Sequence, residues 1–436
     1  MSNSETKPQV WKSNFGFLLA CIGSAVGIGN IWRFPYIVGE NGGGAFLIPF
    51  IIIVFSFGVI LMILEFTVGR MYKSSIVTGL ANIRKNFKWA GVLIAAVALS
   101  VLSFYLVILG WVASFFISNL GQNFLQFDEY TDSFFPIIAF FSVLAITFII
   151  IRRGIASGIE QFNKIGILLL IGIIIPLAVY GLTLDGSEEG MKYFFQPNFD
   201  KISEPNIWAT AFGQAFFSLS LGSGSLLTYG SYLRGKHSLI RSSSIIISAN
   251  TMISIVAGVM IFSFVFSFNM DPTEGVPLIF QVLPTIFADM NFGFFIGSIF
   301  FFLLLIAGLT SSVGLFQVPN ASLQDTFHIS NKKSSAIIAL IIVAIGLPSA
   351  FSYSPLDIKV FDTLFLDFMD SLFGIYGITI SELVFVVIVT WFIDKKKILE
   401  HANASSKLNL PQNVITIVKY AIPSIIIFTL ISSFIL

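Results

Sequence analysis

The sequence predicts an all-α polytopic membrane protein of eleven spans, in which the first ten form two five-span halves of opposite orientation. Three observations carry this reading. The 436 residues are 56% hydrophobic and only 11% charged, whereas soluble domains carry roughly 25% charged residues. The apolar runs are long enough to cross a ~30 Å hydrocarbon core. Finally, glycine-rich interruptions fall inside the first span and the sixth, at matching places in the two halves, and breaks at equivalent positions of inverted halves mark a site at the interface between them.

Taken in order, runs bounded by polar or Pro/Gly clusters give spans near 13–37, 43–69, 89–119, 134–152, 163–184, 206–232, 240–268, 291–325, 333–351, 356–393 and 412–435. The long eighth and tenth runs are expected to include interfacial or loop helix. The organisation expected is an N-terminal segment 1–12, a first half 13–184, a second half 206–393 and an eleventh span in 412–436. With residues 1–12 placed inside, every Lys and Arg except Lys192, Lys201, Lys359 and Arg33 falls in a cytoplasmic segment or just inside a span end. This positive-inside bias puts the N-terminus in the cytoplasm of a cell-membrane protein and, with an odd number of spans, the C-terminus outside. The first twelve residues are polar and the first span is too long for a leader, so none is expected.

Other functions are excluded by what the chain lacks. A net charge of +1 with no dense basic cluster argues against nucleic acid. The single Cys21 cannot form an internal disulfide or a multi-cysteine metal site. His237, His328 and His401 lie in predicted loops and share no ligand spacing. Metalloprotease, serine-hydrolase and P-loop signatures are all missing, so neither an enzyme nor direct ATP-driven transport is expected.

Span one is the informative element. Its middle carries Gly23, Gly27 and Gly29, then Asn30 and the charge of Arg33. Glycine weakens helix, and a central arginine is costly in lipid unless paired or hydrated. Broken helices at membrane depth are tolerated where the freed backbone lines a cavity. Span six repeats the pattern at SLSLGSGS, 218–225. Freed carbonyls and hydroxyl or amide oxygens suit hard cations, and half-helix N-termini suit anions. Asn30, Ser218, Asn250, Thr310 and Ser311 supply such oxygens in spans one, six, seven and eight, although polar residues in spans also serve as interhelical hydrogen bonds. Glu65 and Glu382 are acidic residues within spans, expected as hydrogen-bonded partners.

The motifs GSAVGIGNIWRFP, ENGGGAFLIPF, GQAFFSLSLGSGSLLTYGSY and AGLTSS, in this order and extending with their flanks from Trp11 to Glu382, resemble those of the neurotransmitter:sodium symporters. The likeness is to the prokaryotic branch with the bacterial leucine-transporter fold and eleven spans. It implies a sodium-coupled symporter of amino acids working by alternating access in the lipid bilayer. The resemblance implies one sodium site from the Ala25 carbonyl with Asn30, Ser218 and Asn250, completed by the substrate carboxylate. It implies a second from carbonyls of Gly23, Val26 and Ala307 with the hydroxyls of Thr310 and Ser311. Between them the amino-acid pocket would draw on Ser24, Ala25, Ile28, Gly29, Val101, Ser218, Ser220, Ser223, Ser311 and Leu315. Tyr105 would donate to the carboxylate and Phe217 would close over the substrate. Gly27 stands where amine-transporting relatives carry an acid, so the substrate is expected to bring its own carboxylate; hydrophobic or aromatic L-amino acids are favoured.

The gates follow from the same resemblance. Arg33 is expected to face Asp367, with Asp370 as rival partner one turn on and Gln214 orienting the pair. At the inner end Trp11, Tyr232 and Asp325 match, but the family's arginine three residues before the tryptophan is Pro8 here, with Lys7 as a substitute. That departure keeps open a non-transporting sensor or channel of the same fold. Gly166 and Pro176 repeat a family spacing linked to unwinding of span five. Gln214, Ser218, Asn250 and Ser254 could line a chloride site, although Phe50 replaces the tyrosine that would complete it.

Overall fold

The structure, a computed structural model, describes residues 10–235, 237–270 and 278–435. Lys7, Pro8 and Lys236 lie outside the described residues. Span one is two helical pieces, Asn14–Ala25 and Gly29–Glu40, bent by 56° at their junction. The first piece starts where Ser13 Oγ accepts the Gly16 N–H at 2.9 Å, an N-cap that satisfies one orphan donor of the first turn. It stops at Val26, whose backbone is extended (ψ 107°). A π turn at Gly29–Arg33 then leads into Phe34–Glu40, with Pro35 near its start, where a missing N–H is harmless.

The remaining spans are Gly44–Tyr72, Lys85–Leu120, Phe135–Arg152, Ile155–Leu182, the pair Pro205–Ser218 and Ser225–Ser231, Leu239–Ser267, Gly293–Phe327, Asn331–Phe351, Phe365–Phe392 and Gln412–Ile435. Three expectations need correction. Span five begins at Ile155 rather than near 163: Gly154 (φ 80°) starts a π turn, and the polar residues Glu160 and Asn163 that look like a boundary are buried. Glu160 is held inside because its carboxylate accepts the Lys12 N–H (2.7 Å) and the Ser13 hydroxyl (2.9 Å). Span eight is one unbroken 35-residue helix with no loop piece; at ~1.5 Å per residue its ends run past a ~30 Å core. Span ten begins at Phe365, and 356–364 instead forms a small antiparallel ribbon of Lys359–Val360 and Thr363–Leu364. Gly166 and Pro176 both sit within continuous helix, Glu160–Leu182.

Within lipid the hydrophobic effect does not drive helices together, so close packing and small residues do. Spans three and eight are the most enclosed, with 78% and 83% of their apolar windows buried, and the eleventh the least, at 22%. Spans three and eight therefore form the central post, span one leans on span eight and span five, and the eleventh packs at the edge against span ten.

Candidate transport site at the two helix breaks

The break in span six is built by backbone that only certain residues adopt readily. Span six's first piece ends at Ser218, and the chain then passes through Ser220 (φ 54°), Gly222 (φ 77°) and Gly224 (φ 76°) before restarting at Ser225. Such left-handed conformations are easy for glycine and cost other residues roughly 1–2 kcal/mol. The freed amides are caught by a buried carboxylate: Glu65 Oε1 accepts the Gly222 N–H at 3.0 Å, and Oε2 accepts the Leu227 N–H at 3.2 Å. A negative group at the first turn of Ser225–Ser231 also suits the positive end of that helix. Glu382 lies against the same turn, buried beside Glu65.

The break in span one meets this turn through hydrogen bonds that cross between elements. The Ser24 carbonyl accepts the hydroxyls of Ser220 (2.8 Å) and Ser311 (3.2 Å). Asn30, fully buried, has Nδ2 within hydrogen-bonding reach of Ser218 Oγ (2.8 Å), Asn250 Oδ1 (2.9 Å) and Ser254 Oγ (2.9 Å), three acceptors for its two protons, while its Oδ1 accepts the Gly27 N–H (3.1 Å). Asn250 Nδ2 closes the ring onto Ser218 Oγ at 2.8 Å. A half-turn of the Asn30 amide would present Oδ1 to this cluster, so the same residues can offer oxygen to a cation.

A narrow cavity of about 40 Å³ adjoins the cluster, lined by Ala25, Gly27, Gly29, Asn30, Val101, Tyr105, Phe217, Ser220, Ser223, Ser311, Leu315 and Ile378. A second, of about 50 Å³, shares Gly29, Tyr105 and Phe217 with it and adds Ile28, Trp32, Arg33, Tyr36, Phe104, Ile108 and Asp370. Each has room for a few waters, so Phe217, which borders both, must shift for anything larger to enter. The Tyr105 hydroxyl accepts the Ile28 N–H at 3.2 Å and also lies against the Ser311 side chain. Gly27 faces it so closely that a Cβ there would lie 3.0 Å from the Tyr105 hydroxyl and 3.1 Å from Ser311 Oγ.

Of the expected pocket side chains, Ser24 is absent from the cavity walls and Ser223 lines one with its hydroxyl engaged in the turn. Ser24 contributes only its carbonyl, because its hydroxyl turns away against Gly314 of span eight. The Ser223 hydroxyl is occupied within the turn, donating to the Ser220 carbonyl (2.7 Å) and accepting the Ser225 N–H (3.2 Å). Ile378 and Phe104 line the cavities without a polar or glycine signal that would have marked them in the sequence.

On the other side of span one, Gly23 and Val26 end the first helical piece beside span eight. Thr310 Oγ1 donates to the Ala307 carbonyl at 2.9 Å, and the Thr310 Cβ would lie 3.1 Å from a Cβ on Gly23. Arg33 spreads over the Phe217 ring, 4.3 Å from its centroid. The structure sets Asp370, not Asp367, beside Arg33: Asp367 turns to Tyr353, whose hydroxyl reaches its two oxygens at 3.0 and 3.1 Å. The two carboxylates are three residues apart, Asp367 in the last α-helical turn and Asp370 at the start of a π turn. Gln214 is buried one turn before Ser218, with neither amide atom hydrogen-bonded among the described residues. Phe50 stacks on Phe46 and Phe34 instead of approaching the cluster. At the opposite end Trp11 Nε1 donates to the Tyr229 carbonyl (3.0 Å) and packs edge-on against Tyr232, whose hydroxyl accepts from Gln317 (2.7 Å). Asp325 accepts the Ser75 N–H at 2.6 Å.

A helical membrane bundle with two broken spans converging on buried oxygens, closed by aromatic residues at either end, defines a secondary transporter. The chain belongs to the sodium:neurotransmitter symporter family, whose sequence model matches residues 8–135 and 125–436; it is a sodium-dependent transporter and not an enzyme. It is 33% identical over 427 residues to an uncharacterized sodium-dependent transporter of Methanocaldococcus jannaschii, covering 92% of this chain and 85% of that protein. It is 35% identical over 382 residues to the uncharacterized sodium-dependent transporter YhdH of Bacillus subtilis, covering 84% of each. Among solved structures it is similar to MhsT in complex with L-phenylalanine, with a TM-score of 0.89 and 32% identity over 97% of this chain and 99% of that one. The fold is therefore the bacterial leucine-transporter fold.

Proposed function

We propose that this protein carries a hydrophobic or aromatic L-amino acid together with two sodium ions by alternating access. The observation that carries the reading is the convergence of the two breaks on one small cavity: the Tyr105 hydroxyl faces it beside the Ile28 N–H, and residue 27, a glycine, brings no acidic side chain to it. A substrate carboxylate fits that corner, and the similar MhsT was solved with phenylalanine. One sodium ion is assigned to the Ala25 carbonyl, Asn30, Ser218 and Asn250. The other is assigned to Gly23, Val26, Ala307, Thr310 and Ser311. Arg33 with Asp370 closes the outer side over Phe217, and Trp11 with Tyr232 and Gln317 closes the inner side, with the N-terminus cytoplasmic. Gln214, with Ser218, Asn250 and Ser254, supplies donors for a chloride ion.

Two sodium ions with a zwitterion move two net charges. At ~2.3 kcal/mol per charge per 100 mV the potential contributes roughly 4.6 kcal/mol, or about three decades of accumulation at ~1.4 kcal/mol per decade. The test is uptake of radiolabelled phenylalanine into proteoliposomes under an inward sodium gradient, with potassium as control. Sodium-dependent accumulation is expected. Binding without accumulation would support the sensor alternative instead.

A further inference from the structure

Span five carries a buried acceptor that the residues assigned to either ion do not use. Asn163 is 0% exposed, and its Nδ2 donates to the Ile159 carbonyl at 2.9 Å. That bond fixes the amide and aims Oδ1 out of the helix, where it meets no hydrogen-bond donor among the described residues. What it does meet is the break in span one. Asn163 Oδ1 lies where a Cβ on Gly23 would stand, and Thr310 Cβ is 3.1 Å from that same point. The Thr310 hydroxyl sends its proton to the Ala307 carbonyl, so its lone pairs, like Oδ1, are acceptors without a donor. Span five is drawn in this close because residue 166 is glycine: a Cβ there would lie 2.8 Å from Thr310 Cγ2.

Buried polar atoms are nearly always satisfied, and an exception calls for a water, an ion or a functional reason. Asn163 Oδ1 and the side chain of Thr310 both border the Gly23 break with no N–H or O–H aimed at that oxygen, and hard oxygen donors suit a hard cation. We propose that Asn163 Oδ1 is a ligand contributed by span five to the sodium ion held between spans one and eight. This rests on the assignment of that ion to Gly23, Val26, Ala307, Thr310 and Ser311. With the ion bound, span five is tied to the break. Glu160, one turn earlier and so on the same face, holds the Lys12 N–H and the Ser13 hydroxyl. The ion and the strap of chain that enters span one are therefore anchored on the same turn of helix. Loss of the ion frees that turn to move and releases both.

The test is the sodium dependence of thermal stability of the full-length protein in detergent, titrated with sodium chloride against potassium chloride at constant ionic strength. Deuterium exchange of peptides spanning 155–166 is followed in the same samples. The wild type is expected to gain melting temperature in sodium and to slow exchange over 155–166. Asn163→Leu, similar in volume, is expected to raise the half-saturating sodium concentration at least about tenfold and to abolish the sodium effect on exchange. Asn163→Asp, which keeps an oxygen and adds charge, is expected to bind sodium at least as tightly as wild type. Should the leucine variant fail to fold, Asn163→Ala carries the comparison. A wild type indifferent to sodium would overturn the ion assignment itself. A wild type that responds and a Thr310→Ala variant with raised half-saturation, beside Asn163→Leu or Asn163→Ala with the wild-type half-saturation, would overturn the role of Asn163 alone.

Discussion

Replacing Tyr105 by Phe removes one oxygen and separates two effects that the cavity combines. Tyr105 and Ile28 are 7% and 2% exposed, and the bond between the tyrosine hydroxyl and the Ile28 N–H is 3.2 Å long. Without the hydroxyl, a buried N–H at the start of the second helical piece loses its acceptor, which costs about 1 kcal/mol, the low end for a neutral bond of this length. The hydroxyl's own proton is the donor proposed for the substrate carboxylate. A hydrogen bond to a charged group contributes about 1.5–3 kcal/mol, so phenylalanine affinity is expected to fall between roughly tenfold and 150-fold at ~1.4 kcal/mol per decade. The stability effect is read from melting in potassium chloride, where the sodium sites are unfilled. The affinity effect is read by calorimetry or filter binding at saturating sodium. The decisive comparison uses 2-phenylethylamine, which has the ring and amine but no carboxylate. If the hydroxyl serves the carboxylate, the amine binds weakly to wild type and the substitution barely changes that weak affinity, so the two perturbations are strongly non-additive. Equal fold losses for both ligands, or phenylalanine affinity within twofold of wild type, would refute the assignment.

Three other outcomes follow from the geometry. Thr310→Ala is expected to lower the steepness of the sodium dependence of phenylalanine binding from a Hill coefficient near two towards one, measured by equilibrium binding across sodium concentrations. Asp370→Asn is expected to cost more than Asp367→Asn in melting temperature, because it removes a carboxylate beside the half-buried Arg33, a loss of about 1–2 kcal/mol. Asp367→Asn weakens only the bonds from Tyr353, less than about 1 kcal/mol. Gly222→Ala is expected to cost at least ~2 kcal/mol by thermal unfolding, since alanine at φ 77° is strained and its Cβ would lie 2.9 Å from Glu382 Cβ and 3.0 Å from Glu382 N.

Much of the bundle was legible in the sequence because a membrane span announces itself by an apolar run of the right length, and a break by glycine where none is needed for anchoring. The 23–30 and 218–225 interruptions are both of this kind. Legibility failed where polarity and burial part company. Glu160 read as lying before span five and Asn163 as its first residue, yet each is buried by a specific partner: the N-terminal strap for one, and the Ile159 carbonyl with the span-one break for the other. It failed again where a side chain's direction is set by packing rather than by position. Ser24 and Ser223 sit at pocket positions, but one hydroxyl turns against Gly314 and the other caps the turn. Asp367 and Asp370 differ by less than a helical turn, and position alone does not decide which of them meets Arg33.

The hydrogen bonds at the breaks have a common feature that bears on how such a site works. The Ser24 carbonyl joins span one to spans six and eight, Asn30 joins it to spans six and seven, and Glu65 joins span two to the turn of span six. Each bond runs between different spans, and in lipid no hydrophobic force holds those spans in register. The relative position of the spans at this depth is therefore set by polar bonds that a cation or a carboxylate can exchange for its own. A ligand shifts a conformational equilibrium only by its differential affinity for the two states, and here the atoms that would hold the ligand are those that fix the spans. Under the proposed assignment, Asn30, Ser218, Asn250 and Ser311 would both bind an ion and position the spans, so ion occupancy would bear on helix arrangement without a separate relay.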